Sequence, residues 1–547
     1  MKNYKVLSLS LAAAAALMTS SCQNSDYLDI NDNPNYVANA EAKNLFPSAE
    51  ASTVAVLGYN GQVTGSFWCQ YYTQGNSTNQ YNTVSVYQVT TGSSIPPCTS
   101  MWVDAYSHAL ADLKIAIKNA EETGAWEYYV ASKILMAYNF LMLTDTYGDI
   151  PFTEALNVEV KNPKFDDSKS VVYPGILAML DEALAKEADA VKRPSMEVND
   201  FFFGGNMTKW CQFARSLKLK MYLKDYTANA TAINDLLKDT SKLLQEDCAW
   251  TKWEDSNNHG NPFYEANIRQ LNTQENVRAC HTLLEFLKKN NDPRIIMLYN
   301  PIASFRTPYE LKQEEDNPDY KAKVLTTSSP VDTLAAFIQT AYDGIPFGGS
   351  SVLNTTVYPI SNSSRARQAY SDPVYLMNES EALLMIAEAY QRANKATDAE
   401  KFYKAAVIAG LTRWSDVAAI VNVDDFTEGV YKYDGTIECI ARQYWLTYAG
   451  ANAYDGWLTR NRLGYPKIQA NMTVLNENFY EDKTAEHKLA ENYELGSLVD
   501  PIATSLQPGQ YPARLLYPTN TTMYNVTALE YVDKNGNDIL KKLWWQK

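Results

Sequence analysis

The 547 residues are 46% hydrophobic and 20% charged, which is apolar surface enough for a large buried core and excludes disorder as the main state. Lys and Arg number 48 against 63 Asp and Glu, a net charge of −15, and no basic balance exists to neutralise the phosphates of a nucleic acid. A neutral or cationic ligand suits this charge better.

At the N-terminus, Met1-Lys2-Asn3-Tyr4-Lys5 is a basic lead-in, and 6–18 is an uncharged apolar run too short to anchor as a bilayer-spanning helix. It ends in Thr19-Ser20-Ser21-Cys22, which resembles a lipobox, with Thr19 standing where that motif usually has Leu. The expectation is a lipoprotein signal peptide over 1–21, cleavage and acylation at Cys22, and a polar lipidated tether over 22–40. No later run approaches the roughly 18 apolar residues of a membrane span, so the lipid is the only expected anchor. Within the tether, Asp29-Ile30-Asn31-Asp32-Asn33-Pro34-Asn35 lacks the central glycine and closing glutamate of a calcium loop and reads as a turn cluster.

Helical periodicity follows. Trp102, Tyr106, Ala109, Leu113 and Ile117 share one face, and Gly124 ends that helix. From Trp126 to Thr144 two apolar sides predict a helix buried on most of its circumference, stopped by Gly148 and Pro151. Further helices are predicted near 171–190, 207–226, 231–247, 277–290, 376–392, 397–414 and 436–450. The segment 381–410 reads as a helix pair at tetratricopeptide spacing, with Ala387 and Tyr390 in the first helix and Ala399, Tyr403 and Ala406 in the second. Between these blocks, 58–100, 250–275, 300–375 and 455–530 are long polar stretches of the kind that carry function. The cysteines after Cys22, at 69, 98, 211, 248, 280 and 439, include no close-set pair and are expected to be mostly free.

No metal centre is predicted, because His108, His259, His281 and His487 are scattered without ligand spacing. Nucleophile elbow, phosphate loop and dinucleotide fingerprint are all missing, so neither enzyme nor cofactor is expected. A glycosidase needs only two carboxylates and stands as a further alternative, as does a helical scaffold that binds only proteins. The strongest compositional signal is aromatic: 38 Tyr, 17 Phe and 11 Trp present rings that carry polar edges. They are densest over 67–87, where Trp68, Tyr71, Tyr72, Tyr81 and Tyr87 alternate with amides such as Asn76 and Asn79. These seven are the candidate ligand-binding residues. Phe67, Trp68 and Tyr72 also fit a packed helix end, whereas Asn76, Asn79 and Tyr81 are expected at the surface. A second cluster, 250–264, reads first as a turn stapled by its aromatics.

Several phrases taken in order resemble the SusD/RagB family of surface-exposed outer-membrane lipoproteins, in its SusD-like branch. The lipobox-like Cys22 precedes Asn44-Leu45-Phe46-Pro47-Ser48-Ala49 and Tyr147-Gly148-Asp149-Ile150-Pro151-Phe152. Lys209-Trp210-Cys211-Gln212-Phe213-Ala214-Arg215-Ser216-Leu217 is similar to the family's Trp-x-x-Phe-Ala-x-Ser-Leu helix, and Asp292-Pro293-Arg294 to its Asp-Pro-Arg turn. Glu379-Ser380-Glu381-Ala382 with Ala387-Glu388-Ala389, then Trp457-Leu458-Thr459-Arg460-Asn461-Arg462-Leu463-Gly464-Tyr465-Pro466, and finally Trp544-Trp545 complete the series.

The resemblance implies a mainly α SusD-like fold over 41–547, with degenerate tetratricopeptide-like helix pairs as scaffold and long irregular ligand-binding loops. It further implies a cell-surface lid on a TonB-dependent, SusC-like outer-membrane transporter, capturing nutrient for import without catalysis. Oligosaccharide is the expected cargo, and oligopeptide is the alternative, since amides and tyrosines suit a polypeptide backbone almost equally well.

Overall fold

The computed structural model describes residues 40–75, 80–91, 98–272, 276–302, 330–349, 363–476, 488–502, 504 and 506–547. Cys22, Asn76, Asn79, the expected signal peptide and residues 22–39 of the expected tether lie outside the described residues. Ala42–Lys547 forms one unit, built mainly from helices, with three two-stranded ladders among the described residues.

Helix α1 (Ala42–Ala55) continues through one widened turn, Val56–Gly61, into α2 (Gln62–Trp68), inside a stretch that reads as polar loop in the sequence. Helix α1 packs on α3 (Leu110–Thr123) and α4 (Trp126–Tyr147). Gly124 ends α3 in the left-handed conformation, at φ 69°, as its position predicts. Helix α4 is buried on nearly every face and stops at Gly148, which matches its two apolar sides. Helices α5 (Tyr173–Leu184), α6 (Met207–Tyr222) and α7 (Tyr226–Leu237) extend the layer.

The helix expected over 231–247 ends at Leu237, and residues 248–250 are strand. Similarly, 277–279 and 374–377 are strands, and the helices there begin at His281 and Glu379. Local periodicity does not reveal these strands because their partners are distant. Strand β1 (Tyr72–Gln74) pairs antiparallel with β3 (Val277–Ala279), and β2 (Cys248–Trp250) with β4 (Val374–Met377).

Helix α8 (His281–Lys289) leads to a second helical group, α9 (Glu379–Arg392), α10 (Ala396–Thr412), α11 (Ile437–Tyr448) and α12 (Ala453–Leu463). Asn378 starts α9 with a capping box: its side chain accepts from Glu381 N at 2.9 Å, and Glu381 reaches back to Asn378 N. Helices α9 and α10 pack along their lengths, and Ala387, Tyr390, Ala399, Tyr403 and Ala406 are all buried. Helix α12 crosses α2 so closely that a Cβ on Gly65 would sit 2.0 Å from the carbonyl oxygen of Ala453.

The phrases that carry the family resemblance do structural work here. Trp210 Nε1 donates to Asp200 at 2.8 Å, and Asp200 also accepts from the backbone of Phe202, Phe203 and Gly205. Arg294 grips Asp292 at 2.6 Å, and Tyr431 donates to the same carboxylate at 2.6 Å. Trp457 Nε1 donates to Pro512 O at 2.9 Å, tying α12 to the C-terminal segment.

Candidate ligand-binding site

In the ring-rich segment, residues 67–75 and 80–87 turn their rings inward. Trp68 is fully buried, edge-on to Trp457 at 4.8 Å, with its N–H given to Val84 O at 3.0 Å. Tyr71 donates to Trp445 O at 2.6 Å, and Tyr72 meets Tyr299 edge-to-face at 5.9 Å. Tyr87 packs among Trp68, Phe347 and Tyr511. The expected exposure of Tyr81 is corrected: it is wholly buried, against Phe67 at 5.6 Å. Of the seven candidates, then, the five described ones form a floor of rings in this conformation rather than open platforms. The reason is tertiary: aromatics from residues 299, 445, 457 and 511 cover them, and each ring that packs removes a large apolar area from water.

The second cluster is the stapled turn that its sequence predicts. Trp250 stacks on Phe201 at 4.2 Å, Trp253 leans on Trp250 at 5.6 Å, and residues 254–259 are exposed beyond them. Asn261 closes the turn by accepting from Phe263 N and Tyr264 N, and its amide donates to Asp372 O at 2.9 Å. That last bond joins the turn to 367–375, and a cleft opens between them.

Tyr72, Phe263 and Tyr375 wall the cleft, and Gly450, Ala451 and Asn452 close one side. Gln62, Arg367, Gln368 and Asp372 bring polar groups to it. Its base depends on Gly58, where a Cβ would fall 2.9 Å from both Pro262 Cγ and Val374 Cγ2. Tyr72 is the one seven-residue candidate that lines this cleft among the described residues. Sequence reasoning missed Gln62, Arg367, Gln368 and Asp372 because they come from an unrecognised helix and from a stretch without periodicity. The available signal was the density of charge and amide in Arg365-Ala366-Arg367-Gln368 before Asp372-Pro373.

Titratable groups concentrate elsewhere, around a small cavity between α4, α6, α9 and α12. Lys220 bridges Glu381 at 2.8 Å and Asp455 at 2.7 Å, while Arg462 makes a two-pronged pair with Glu388 at 2.6 and 2.7 Å. Lys224 and Tyr173 both contact Asp145. Burial pushes the Glu381 carboxyl up to about 7 against the pull of Lys220. Burial also lowers Lys224 to about 8 and raises Asp145, so desolvation outweighs their attraction. These acids and bases are paired with one another across helices, which is the arrangement of a structural clamp.

Cys69, Cys211, Cys248, Cys280 and Cys439 are free and buried, and burial pushes the thiols of Cys69, Cys211 and Cys280 up to about 12. Among the described residues no three His, Cys, Asp or Glu side chains gather as metal ligands would. The chemistry of the cleft is recognition: amides, one guanidinium, one carboxylate and ring edges.

The family model described as starch-binding, associating with outer membrane, and named SusD-like matches residues 34–481. Among solved structures, a chitin-binding protein is 20% identical with a TM-score of 0.67, covering 92% of this chain and 100% of its own. A SusD homolog from Bacteroides fragilis is 18% identical with a TM-score of 0.65, over 93% of this chain and 99% of its own. Another from Bacteroides uniformis is 17% identical with a TM-score of 0.67, over 92% and 99%. At these identities the likeness is one of fold, and it agrees with the mainly helical architecture. No curated protein matches the chain in sequence.

Proposed function

The chain belongs to the SusD-like family described as starch-binding and associating with the outer membrane, and from that membership we propose that it captures oligosaccharides at the cell surface as the lid of a TonB-dependent, SusC-like transporter. The family match over residues 34–481 carries the reading. The chitin-binding structural relative supports a saccharide as cargo. In this reading residues 1–21 are the signal peptide, acylated Cys22 is the anchor, 22–40 is the tether and 41–547 is the binding domain. No helix among the described residues is long and apolar enough to cross a membrane.

Capture here is binding without bond cleavage, and the transporter supplies the energy of import. Asn76 and Asn79 keep the contact role drawn from the sequence. Trp68, Tyr71, Tyr72, Tyr81 and Tyr87 enter the proposal as the ring floor that holds the flanks of that segment, β1 and the turn at Tyr81.

Native mass spectrometry of the protein extracted from its own membrane tests the proposal. The expected result is a complex with a barrel subunit, retained masses in hexose or hexosamine steps, and an acylated Cys22 in the N-terminal peptide. Retained masses that fragment as peptides assign the cargo to oligopeptide instead. Release of reducing sugar from the captured glycan, or a protein isolated without any barrel subunit, overturns the lid.

A further inference from the structure

The buried charge cluster and the cleft use similar side chains but commit them differently. In the cluster, Lys220, Arg462 and their carboxylates are occupied by one another. In the cleft, Asn261 and Asn452 are committed, the first to backbone groups and the second to Asp455 at 2.6 Å. Four others keep part of their hydrogen-bonding capacity. Gln368 uses Oε1 to accept from Asn267 at 3.1 Å, which leaves its amide hydrogens. Asp372 uses Oδ2 to accept from Ala369 N at 2.7 Å, which leaves Oδ1. The Arg367 guanidinium donates from Nη1 to Met297 Sδ at 2.6 Å and acts on Asp372 through its charge without a salt bridge among the described residues, which leaves its other N–H groups, and Gln62 lies half-buried on α2 at the cleft.

The uncommitted groups are therefore donors from Arg367 and Gln368, an acceptor on Asp372, and an amide of both kinds on Gln62. A sugar hydroxyl both donates and accepts, and neighbouring hydroxyls match planar side chains that offer the two functions side by side. Tyr72, Phe263 and Tyr375 line the cleft as largely buried rings and give it an apolar wall. Arg367 and Asp372 balance in charge, so the cleft has no net charge to attract an ionised ligand. Strand β4 pairs with β2 along one edge, and the four groups named above are side chains rather than a run of backbone groups.

We infer that this cleft is a subsite for one uncharged sugar residue, with Arg367 and Gln368 donating to adjacent hydroxyls and Asp372 accepting from one. The inference rests on the glycan-capture reading above and deepens it by assigning place and charge class.

The test begins with the full chain on an array of neutral and acidic oligosaccharides that includes maltoheptaose and chitohexaose. Calorimetric titration then follows the best-bound glycan. A neutral glycan is expected to bind, and both Arg367→Ala and Asp372→Asn to weaken it about tenfold or more, the effect of losing a hydrogen bond to a charged group. Gln62→Ala, a helix-surface change that leaves the fold intact, is expected to weaken it about fivefold. Each variant is checked by thermal unfolding, and Gln62→Ala decides the matter if either charged variant unfolds early. Unchanged affinity in well-folded variants, or preference for an acidic glycan, overturns the subsite and leaves glycan capture standing. Failure of the wild-type chain to bind any arrayed glycan overturns both.

Discussion

Residues 67–87 and 365–375 both set rings among polar side chains, amides in the first and charges in the second, and they end in opposite environments. In the first, Trp68, Tyr71, Tyr72, Tyr81 and Tyr87 are all buried. The second keeps Arg367, Gln368 and Tyr370 half-exposed and Asp372 exposed. The difference lies in what packs above them. Helices α11 and α12 and the segment at Tyr511 cover the first with their own aromatics. The second is pinned at the ends of β4 and by the Asn261 bond to Asp372, and no aromatic cover closes over Arg367 and Gln368, which stay half-exposed. An aromatic-rich polar stretch therefore marks a place where rings matter, without saying whether they serve the core or a ligand.

The sharpest way to break this comparison is Trp68→Ala. If the ring is floor, the variant loses about 3–5 kcal/mol of stability, as large buried truncations do, and the loss appears in urea unfolding with no ligand present. Full stability with lost glycan binding would falsify the floor assignment. Next in size is Gly65→Ala, whose Cβ would meet the Ala453 carbonyl at 2.0 Å and force α2 from α12. About 1–3 kcal/mol or more of destabilisation is expected, read in the same unfolding experiment. A neutral Gly65→Ala would mean that the two helices yield easily and that the floor is soft.

The last effect, spread over several pH units, concerns the charge clamp. Glu381 titrates near 7 when folded against an ordinary value of 4.5, so the folded state holds a proton that the unfolded chain has lost between those limits. Its contribution therefore falls as pH rises from about 4.5 to 7, by at most about 1.4 kcal/mol per unit, and is constant outside that window. Comparing wild type with Glu381→Gln by unfolding at pH 5, 6, 7 and 8 isolates it. A difference that stays flat from pH 5 to 8 shows that Glu381 does not titrate in that range and overturns the raised value.

Long helices were legible because their apolar spacing repeats within one segment: Trp126–Tyr147 is buried on almost every face, and Gly124 and Gly148 stop helices where the residue type requires it. The pair at 381–410 was legible for the same reason, since small residues at fixed offsets are a local pattern. Strands β1 to β4 were not, because three or four residues carry little periodicity and their partners lie far along the chain. In the cleft, Tyr72 and the second cluster's Asn261 and Phe263 stood out in the sequence, whereas Gln62, Arg367, Gln368 and Asp372 did not.

By itself, then, the sequence determined a helical, acidic chain whose ordered phrases resemble one family, because helix patterning, caps and motif order are encoded over neighbouring residues. Which rings became core, which charges were neutralised, and which polar groups stayed uncommitted were decided only when segments hundreds of residues apart met. Trp68 is buried because Trp457 reaches it, and Arg367 meets Asp372 through space, five residues on, while Ala369 N takes one oxygen of that carboxylate. Burial and hydrogen-bond satisfaction depend on every neighbour in space, and the linear order of the chain does not contain those neighbours.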